Sequence, residues 1–382
     1  MRHQNSVFHA VLKHVPWPAF DRLVAAHGAE ARVRRLTTKS QLVALLYGPL
    51  SGAGSLREIV RGLESHAARL SSVGAEPARR STLSDANARR PAALFAELLT
   101  LMMQQTRRGL RRKLAETPYL LDATSVRLSA LSAGWARFSA GMCGAKLHVI
   151  SDPAADRPLY AAVTAARVTD ITVVRRMPIV PGATYVFDLG YYDYAWWAKL
   201  DAAQCRIVTR FKAHTPLARV AELPVPEEGN ILSDRIGFLP LRQARSRRNP
   251  MPDAVREVRV RTQSGKVLRL LSNDLDAGAW EIAALYQRRW AIELFFRWVK
   301  QTLRITRFLG ISENAVRIQI ALALLAFLLL RLAQAGQNTI QSPLAFARLV
   351  RANLRHRRRL DRLLEPSARP VLNPAQPALQ WA

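Results

Sequence analysis

Tyr286, Arg289, Glu293 and Lys300 stand at offsets of zero, three, seven and fourteen residues. On a helix turning about 100° per residue, these offsets put all four side chains within an arc of about 60°. A lone carboxylate in a stripe of Tyr, Arg and Lys is a poor pattern for a core. It suits a cation ligand flanked by groups that grip phosphate. Ile292, Phe295, Phe296 and Val299 supply the buried side of the same segment. The plain alternative is a surface helix carrying a salt-bridge ladder. Two further carboxylates weigh against it. Asp122 follows Tyr119-Leu120-Leu121, and Asp188 follows Tyr185-Val186-Phe187. A charge directly after a buried strand pays a desolvation penalty unless it is paired or holds a cation. Asp122, Asp188 and Glu293 converging on one point could hold two Mg2+ ions about 3.5–4 Å apart. Mn2+ is expected to substitute. One ion would activate an attacking water or 3′-hydroxyl, and the other would stabilise the leaving oxygen of an in-line displacement at phosphorus.

Positioning those groups takes a folded chain with room for more than one domain, and 382 residues provide it. Lys and Arg number 57 against 28 Asp and Glu, a formal net charge of +29. So basic a chain repels itself, and the expected partner is a polyanion, here double-stranded DNA. A ribosome-associated or membrane-surface protein is the bland alternative. Hydrophobic residues make up 49% of the chain, which excludes a disordered basic tail. Cys143 and Cys205 offer neither a disulfide framework nor zinc-ligand spacing, and each lies by apolar, strand-like sequence as a buried thiol would. The longest unbroken apolar run, Ile320 to Leu330, falls short of the ~18 residues of a membrane span and suits a buried helix. No signal-peptide core follows Met1, so a cytoplasmic, nucleoid-associated location with no membrane partner is expected.

The element order divides the chain into five stretches. Residues 1–112 carry helical periodicity throughout, for example Leu94, Leu98, Leu99 and Met102. Within them a short basic helix, with Ser81 as expected N-cap and Pro91 as terminator, suggests a helix-turn-helix-like DNA reader, or simply a solvated helix. Residues 113–212 change to strands at 119–124, 146–150, 159–163, 185–187 and 205–210. Thr169-Asp170 opens a short helix before the fourth strand, and a helix at 195–203 precedes the fifth. That order predicts an α/β class with a ribonuclease-H-like core, a mixed five-stranded sheet with flanking helices, in which the first and fourth strands lie side by side. Residues 213–272, rich in Pro, predict a β-rich insertion with a basic loop at Arg242, Arg245, Arg247 and Arg248. Residues 273–335 return to helix, one from Trp280 past Lys300 and one from about Asn314 to Ala333. Residues 336–382 form a basic tail in which Arg355 to Arg359 suits a solvated helix face.

The Tyr-x2-Arg-x3-Glu-x6-Lys spacing of Tyr286, Arg289, Glu293 and Lys300 resembles the signature of DDE transposases of bacterial insertion sequences, in the branch called the IS-four family. Leu121-Asp122-Ala123-Thr124 resembles that family's first Asp motif. Phe187-Asp188-Leu189-Gly190-Tyr191 resembles the second, and Val208-Thr209-Arg210-Phe211-Lys212 its following basic strand. The resemblance covers about residues 115 to 330, and the stretch ahead of them is similar to the helical domain that often precedes the core. It implies metal-dependent cleavage at the ends of an insertion sequence and strand transfer into target DNA, catalysed by Asp122, Asp188 and Glu293. It further implies phosphate contacts from Tyr286, Arg289, Lys300, Arg210 and Lys212, and a homodimer or larger assembly on paired ends. The rivals are a nuclease of the same fold that does not join ends, and a non-catalytic or decayed DNA-binding protein.

Other residues carry simpler readings. Asp170 and Asp193 begin helices and suit N-caps, Asp152 suits a turn, and His148 suits a satisfied, partly buried imidazole. Trp196, Trp197, Trp290 and Trp298 suit packing, although one aromatic near the site could hold a flipped base. The charge carries one prediction by itself. Affinity for DNA should fall log-linearly with salt, with a slope near about −0.9 per phosphate neutralised. A titration between 50 and 200 mM salt checks it (about the range over which several contacts lose orders of magnitude), and a flat line removes the nucleic-acid reading.

Overall fold

The computed structural model describes residues 6–31, 33, 35–65, 67–108, 118–153, 157–225, 227, 229–242, 248–303 and 308–365. Helices come first: α1 (Val7–Leu12), α2 (Trp17–Ala26), α3 (Thr38–Ser51), α4 (Leu56–Glu64), α5 (Ala67–Leu70), α6 (Arg80–Arg89) and α7 (Ala92–Arg108). The core then runs β1 (Tyr119–Leu128), α8 (Ala133–Ala136), β2 (Arg137–Ser139), β3 (Met142–Asp152), β4 (Arg157–Ala165), α9 (Asp170–Val174), β5 (Thr184–Phe187), α10 (Tyr194–Ala202) and β6 (Arg206–Arg210). Four more strands follow, β7 (Ala218–Leu223), β8 (Ile231–Phe238), β9 (Val255–Arg261) and β10 (Val267–Ser272). The chain returns to helix in α11 (Ala279–Arg288), α12 (Trp290–Thr302), α13 (Glu313–Ala335) and α14 (Pro343–Asn353).

The five expected strands are β1, β3, β4, β5 and β6, paired in the order β4-β3-β1-β5-β6. β3 pairs antiparallel with β1 and with β4, whereas β1–β5 and β5–β6 are parallel. The first and fourth of these strands do lie side by side. The sheet is larger than expected, with ten strands among the described residues. β10 pairs antiparallel with β6, and β9, β8 and β7 follow outward, so the β-rich insertion continues the core sheet. β1 also outruns its expected end at Thr124, since Val126 and Leu128 keep the alternation of inward and outward side chains.

Sequence composition hides this continuation because its interior is held by charge. Asp234 on β8 and Arg256 on β9 are both buried and meet in a paired contact, Nε–Oδ1 2.8 Å and Nη2–Oδ2 2.6 Å. Arg256 also donates to the carbonyls of Leu275 and Ala277. Buried Glu257 accepts from Arg259 and Arg269. Of the expected basic loop, Arg242 and Arg248 form an isolated β-bridge, and Arg245 and Arg247 lie outside the described residues.

The helical part packs on α13, which touches α1, α3, α6, α7, α12 and α14. α13 is long and apolar enough to cross a membrane by composition, but 78% of its most apolar window is buried by these neighbours. Its run from Ile320 to Leu330 is the buried helix expected. Asn314 at its start donates to the carbonyls of Asn87 and Arg90 and accepts from the amide of Ala92, which joins α13 to the α6–α7 corner.

Three local expectations are corrected. Ser81 does not cap α6, because Arg79 holds the N-cap position and Ser81 lies within the helix, on its exposed side. The single helix from Trp280 past Lys300 is two helices that meet at Arg289. Arg355 to Arg359 is not helical, since α14 ends at Asn353. That run instead sews the tail to the N-terminal helices. The carbonyls of Leu354 and His356 accept from the amides of Phe8 and Val7, and Arg355 bonds the hydroxyl of Tyr47.

The buried pair between β8 and β9 sets a stability prediction. Asp234→Ala strands the Arg256 guanidinium in the sheet and should cost about 3–5 kcal/mol, as removing one partner of a buried pair does. A urea melt of the full chain measures it, and a loss below about 1 kcal/mol, the worth of an exposed pair, would mean that water reaches Arg256.

Candidate active site

Parallel pairing in register builds the site. Leu120 of β1 aligns with Val186 of β5, and Val186 aligns with Val208 of β6. All three are buried in the core shared with α11–α13. Because side chains alternate, the residues two further along each strand point to the same face. Those residues are Asp122, Asp188 and Arg210. They form a row that crosses β1 at its fourth residue and the carboxyl ends of β5 and β6.

The helices bring a second row against the first. Burial of Ile282, Leu285, Ile292, Phe295, Phe296 and Val299 seats α11 and α12 on that face. Arg289, at the break between the helices, donates from Nη1 to Asp122 Oδ2 at 3.3 Å and from Nη2 to Glu293 Oε1 at 2.6 Å. Its guanidinium also lies 5.6 Å from the centre of the Tyr286 ring. The Tyr286 hydroxyl donates to Asp188 Oδ1 at 3.4 Å, and Arg210 Nη1 reaches the same oxygen at 3.5 Å. Asp122 and Asp188 each also accept a backbone N–H at 2.7 Å, from Ala123 and Leu189.

Six of the eight residues singled out by sequence are therefore joined: Asp122, Asp188, Glu293, Tyr286, Arg289 and Arg210. Lys212 stands apart, with its ammonium 4.3 Å over the ring of Tyr192. Lys300 makes no hydrogen bond or ion pair with a described residue, and burial pulls its pKa down. It lies about 10 Å along α12 from Glu293.

Charge in the site is tightly balanced. Burial pushes the Asp122 carboxyl up to about 6, with Glu293 and Asp188 adding to the rise and the Ala123 N–H and Arg289 opposing it. Burial and the charge of Asp188 push the Tyr286 hydroxyl up to about 12, so it stays protonated and donates. Burial works against the charge on Arg289, but Tyr286, Glu293, Asp122 and Asp188 outweigh it and hold its pKa above the ordinary value.

The donor set fits a hard divalent cation in its chemistry. All three acids offer carboxylate oxygens, and a cation would offset both the burial that raises the Asp122 carboxyl and the smaller contribution of Glu293 and Asp188. Among the described residues no three acidic, His or Cys side chains are closed on a single point. Arg289 bridges Asp122 and Glu293 instead.

Neighbouring residues escaped the sequence reading. Arg269 donates to the carbonyls of Lys212, Ala213 and Thr215 while Glu257 holds its other edge, so it fixes the loop that carries Lys212. Nothing in the spacing marks it, because its partners are three loop carbonyls and a carboxylate on the neighbouring strand. Asp170 was expected as a helix cap, but Thr169 holds that position and the Asp170 carboxylate pairs with Lys146 at 2.8 Å. Asp193 does cap α10, accepting from Trp196 N at 2.7 Å. His148 is fully buried, with Nε2 on Thr164 and Nδ1 without a hydrogen-bond partner. Trp196 and Trp197 pack in the core and Trp298 packs on Phe327, whereas Trp290 is half exposed on α12 and does not pack as expected. Cys143 and Cys205 are buried free thiols.

Comparison with known proteins follows the same lines. A family model described as a transposase DDE domain matches residues 114–329, and one described as a domain of unknown function matches residues 3–76. A protein named as a transposase, y4zB of Sinorhizobium fredii, is 39% identical over 294 residues, covering 77% of this chain and 81% of the relative. One named as a transposase for insertion sequence element IS5377, of Geobacillus stearothermophilus, is 29% identical over 255 residues, 66% of each chain. Among solved structures, piggyBac transposase in a synaptic complex with hairpin DNA matches at a TM-score of 0.50 and 10% identity, over 97% of this chain and 84% of that one. At that identity the likeness speaks for the fold.

The raised Asp122 carboxyl gives a prediction on pH. A folded pKa near 6 above an ordinary 3.8 means that this carboxyl's contribution to stability is full below pH about 4 and is lost as pH rises through about 6. With metal chelated, Asp122→Asn should therefore be more stable than the natural chain at pH 7, by about 1–3 kcal/mol, and equal to it near pH 4. Paired urea melts at the two pH values check this, and a destabilised Asn variant at pH 7 would contradict it.

Proposed function

The chain belongs to the family of transposases that carry the DDE domain and is a DNA transposase, and from that premise we propose that Asp122, Asp188 and Glu293 are its catalytic carboxylates. One observation carries this reading: the β1–β5 ladder pairs Leu120 with Val186, each two residues before an acid, and Arg289 ties Asp122 to Glu293. We assign the chain to the IS-four branch on the spacing of Tyr286, Arg289, Glu293 and Lys300.

DDE transposase domains use divalent metal ions, and in our reading Asp122, Asp188 and Glu293 hold two Mg2+ here. Such ions, when bound, supply Lewis acidity at the attacked phosphorus and lower the pKa of a coordinated water or 3′-hydroxyl. The remaining chemistry belongs to side chains. Tyr286 keeps its proton and can give a hydrogen bond to a phosphate oxygen as readily as to Asp188. Arg289 presents a planar donor fork that suits phosphate as well as carboxylate, and it would orient the scissile phosphodiester beside Asp122. Lys300, one turn and more beyond Glu293, would take the next phosphate, with Arg210 and Lys212 on the strand side.

We further propose a division of labour. Residues 1–112 recognise the element's ends, 113–212 and 273–335 form the catalytic core around the insertion 213–272, and 336–382 form the basic tail. The exposed side of α6, with Arg80, Ser81, Ser84 and Asp85, is the base-reading surface in this scheme. Cutting two ends together calls for a homodimer or larger assembly on DNA.

Asp122→Asn, Asp188→Asn and Glu293→Gln should each lower Mg2+-dependent nicking of element-end DNA at least about a hundredfold while leaving DNA affinity within about threefold, since each amide keeps shape and removes a metal-binding charge. Gel assays of nicking and binding on the same substrates measure both. A variant that nicks at more than about a tenth of the natural rate drops that residue from the site. Joining of a supplied 3′-hydroxyl end to target DNA distinguishes a transposase from a nuclease that stops at the cut.

A further inference from the structure

Asp188 owes its place to the turn that follows β5. Its own carboxylate caps that turn at Leu189 N, and its carbonyl accepts from Tyr191 N at 3.1 Å. The far side of the turn is pinned by aromatic residues. Tyr191 is buried against Phe187, and its carbonyl accepts from Trp197 Nε1 at 3.1 Å. The middle of the turn, Gly190, has a different neighbour. A Cβ placed on Gly190 would stand 2.9 Å from Asp170 Oδ2, closer than a real Cβ approaches an oxygen. A side chain at this position would have to displace the carboxylate that occupies its space.

That carboxylate is built in. Asp170 Oδ1 accepts from Lys146 Nζ at 2.8 Å, and Lys146 is itself anchored on the carbonyl of Val168 at 3.0 Å. His148 stands two residues along β3 on the same face, fully buried, with Nε2 on Thr164 Oγ1 at 2.9 Å. Its Nδ1 has no hydrogen-bond partner and lies 3.7 Å from Asp170 Oδ1. A carboxylate repels a bare ring nitrogen, so the tautomer that satisfies this geometry carries its proton on Nδ1 and accepts from Thr164. Burial pushes the His148 imidazole down to about 4, which leaves Lys146 as the cation that answers Asp170. The three side chains take no part in the carboxylate site, and capping does not explain Asp170.

We propose that Asp170, clamped by Lys146 and backed by His148, is a positioning residue that fixes the Asp188 turn through its contact with Gly190. The proposal rests on the reading of Asp188 as a metal ligand. Groups that orient metal ligands without touching the metal typically change metal affinity by about 10–100-fold when removed. Loss of the Asp170 support should thus weaken metal binding by letting the turn relax, and leave the fold and the DNA-binding surfaces in place.

The test uses the full chain without DNA. Mn2+ binding is measured by calorimetry and by the electron paramagnetic resonance signal of free Mn2+, alongside thermal unfolding. The variants are Asp170→Asn, Asp170→Gly and Gly190→Ala, the double variant Asp170→Gly with Gly190→Ala scored against its own two single variants, and Asp188→Asn as reference. Glu313→Gln, on the surface of α13, is the control expected to bind Mn2+ like the natural chain. Asp170→Asn and Gly190→Ala should each weaken Mn2+ binding about tenfold with the melting temperature within a few degrees. In the double variant the two losses should not add, because the alanine methyl no longer meets a carboxylate. Natural affinity in both Asp170→Asn and Gly190→Ala, with Asp188→Asn weakened, overturns the positioning role and leaves the carboxylate reading standing. Natural affinity in Asp188→Asn takes down both. Additive losses overturn the contact as the cause. Should Asp170→Asn fail to fold, Gly190→Ala decides, since it leaves Asp170 and Lys146 unchanged.

Discussion

Asp122, Asp188 and Glu293 repel one another at the end of a buried sheet, and Arg289 is the group that lets them stay there. Two unit charges 4 Å apart interact by about 4 kcal/mol at the effective dielectric of a protein surface. Unanswered, that repulsion would push the acids apart or neutralise them, and it adds to the rise that burial imposes on the Asp122 carboxyl. Arg289 answers it by bonding Asp122 and Glu293 at once. Arg210 and Tyr286 do the same service for Asp188. Each of these partners can also hold phosphate. The groups that neutralise the acids are those that DNA would recruit.

The rest of the molecule fixes where these charges meet. Parallel pairing of β1, β5 and β6 sets Asp122, Asp188 and Arg210 in a row, and a slip of one residue in any strand would turn its charge into the opposite core. α11 and α12 cover that face with an apolar side, which fixes the distance from helix to sheet. Behind them, α13 binds the N-terminal helices to the core, with Asn314 sewing the α6–α7 corner to its first turn. Any reading of DNA by α6 is in this way mechanically connected to the carboxylates.

Much of this was legible in residue order. Apolar triplets followed by Asp marked the two strands and their acids, although only Asp188 stands at a strand end, because β1 runs on to Leu128. The four-residue spacing gave the face of Tyr286, Arg289 and Glu293, because a helix repeats its directions. The break at Arg289 was not legible, since Arg is a good helix former and neither Gly nor Pro marks the site. Ion pairs inside the sheet were also invisible. Asp234, Arg256, Glu257 and Arg269 look like surface residues until partners far along the chain bury them. Asp170 illustrates the same limit, since its position suggested a cap and its function lies in Lys146 and Gly190. The basic run at Arg355 to Arg359 is largely exposed, as expected, but not helical, and its Arg355 is held by Tyr47, some three hundred residues earlier. Local pattern reports periodicity well and long-range pairing poorly.

The central claim is that the three acids form one cation site. Crystals of the protein soaked with Mn2+ and measured at the manganese absorption edge test it most directly. The expected result is anomalous density in contact with carboxylate oxygens of Asp122 and Asp188, with Glu293 turned toward it and Arg289 displaced from between the acids. Anomalous density elsewhere, with Arg289 still bridging Asp122 and Glu293 at saturating Mn2+, would contradict it.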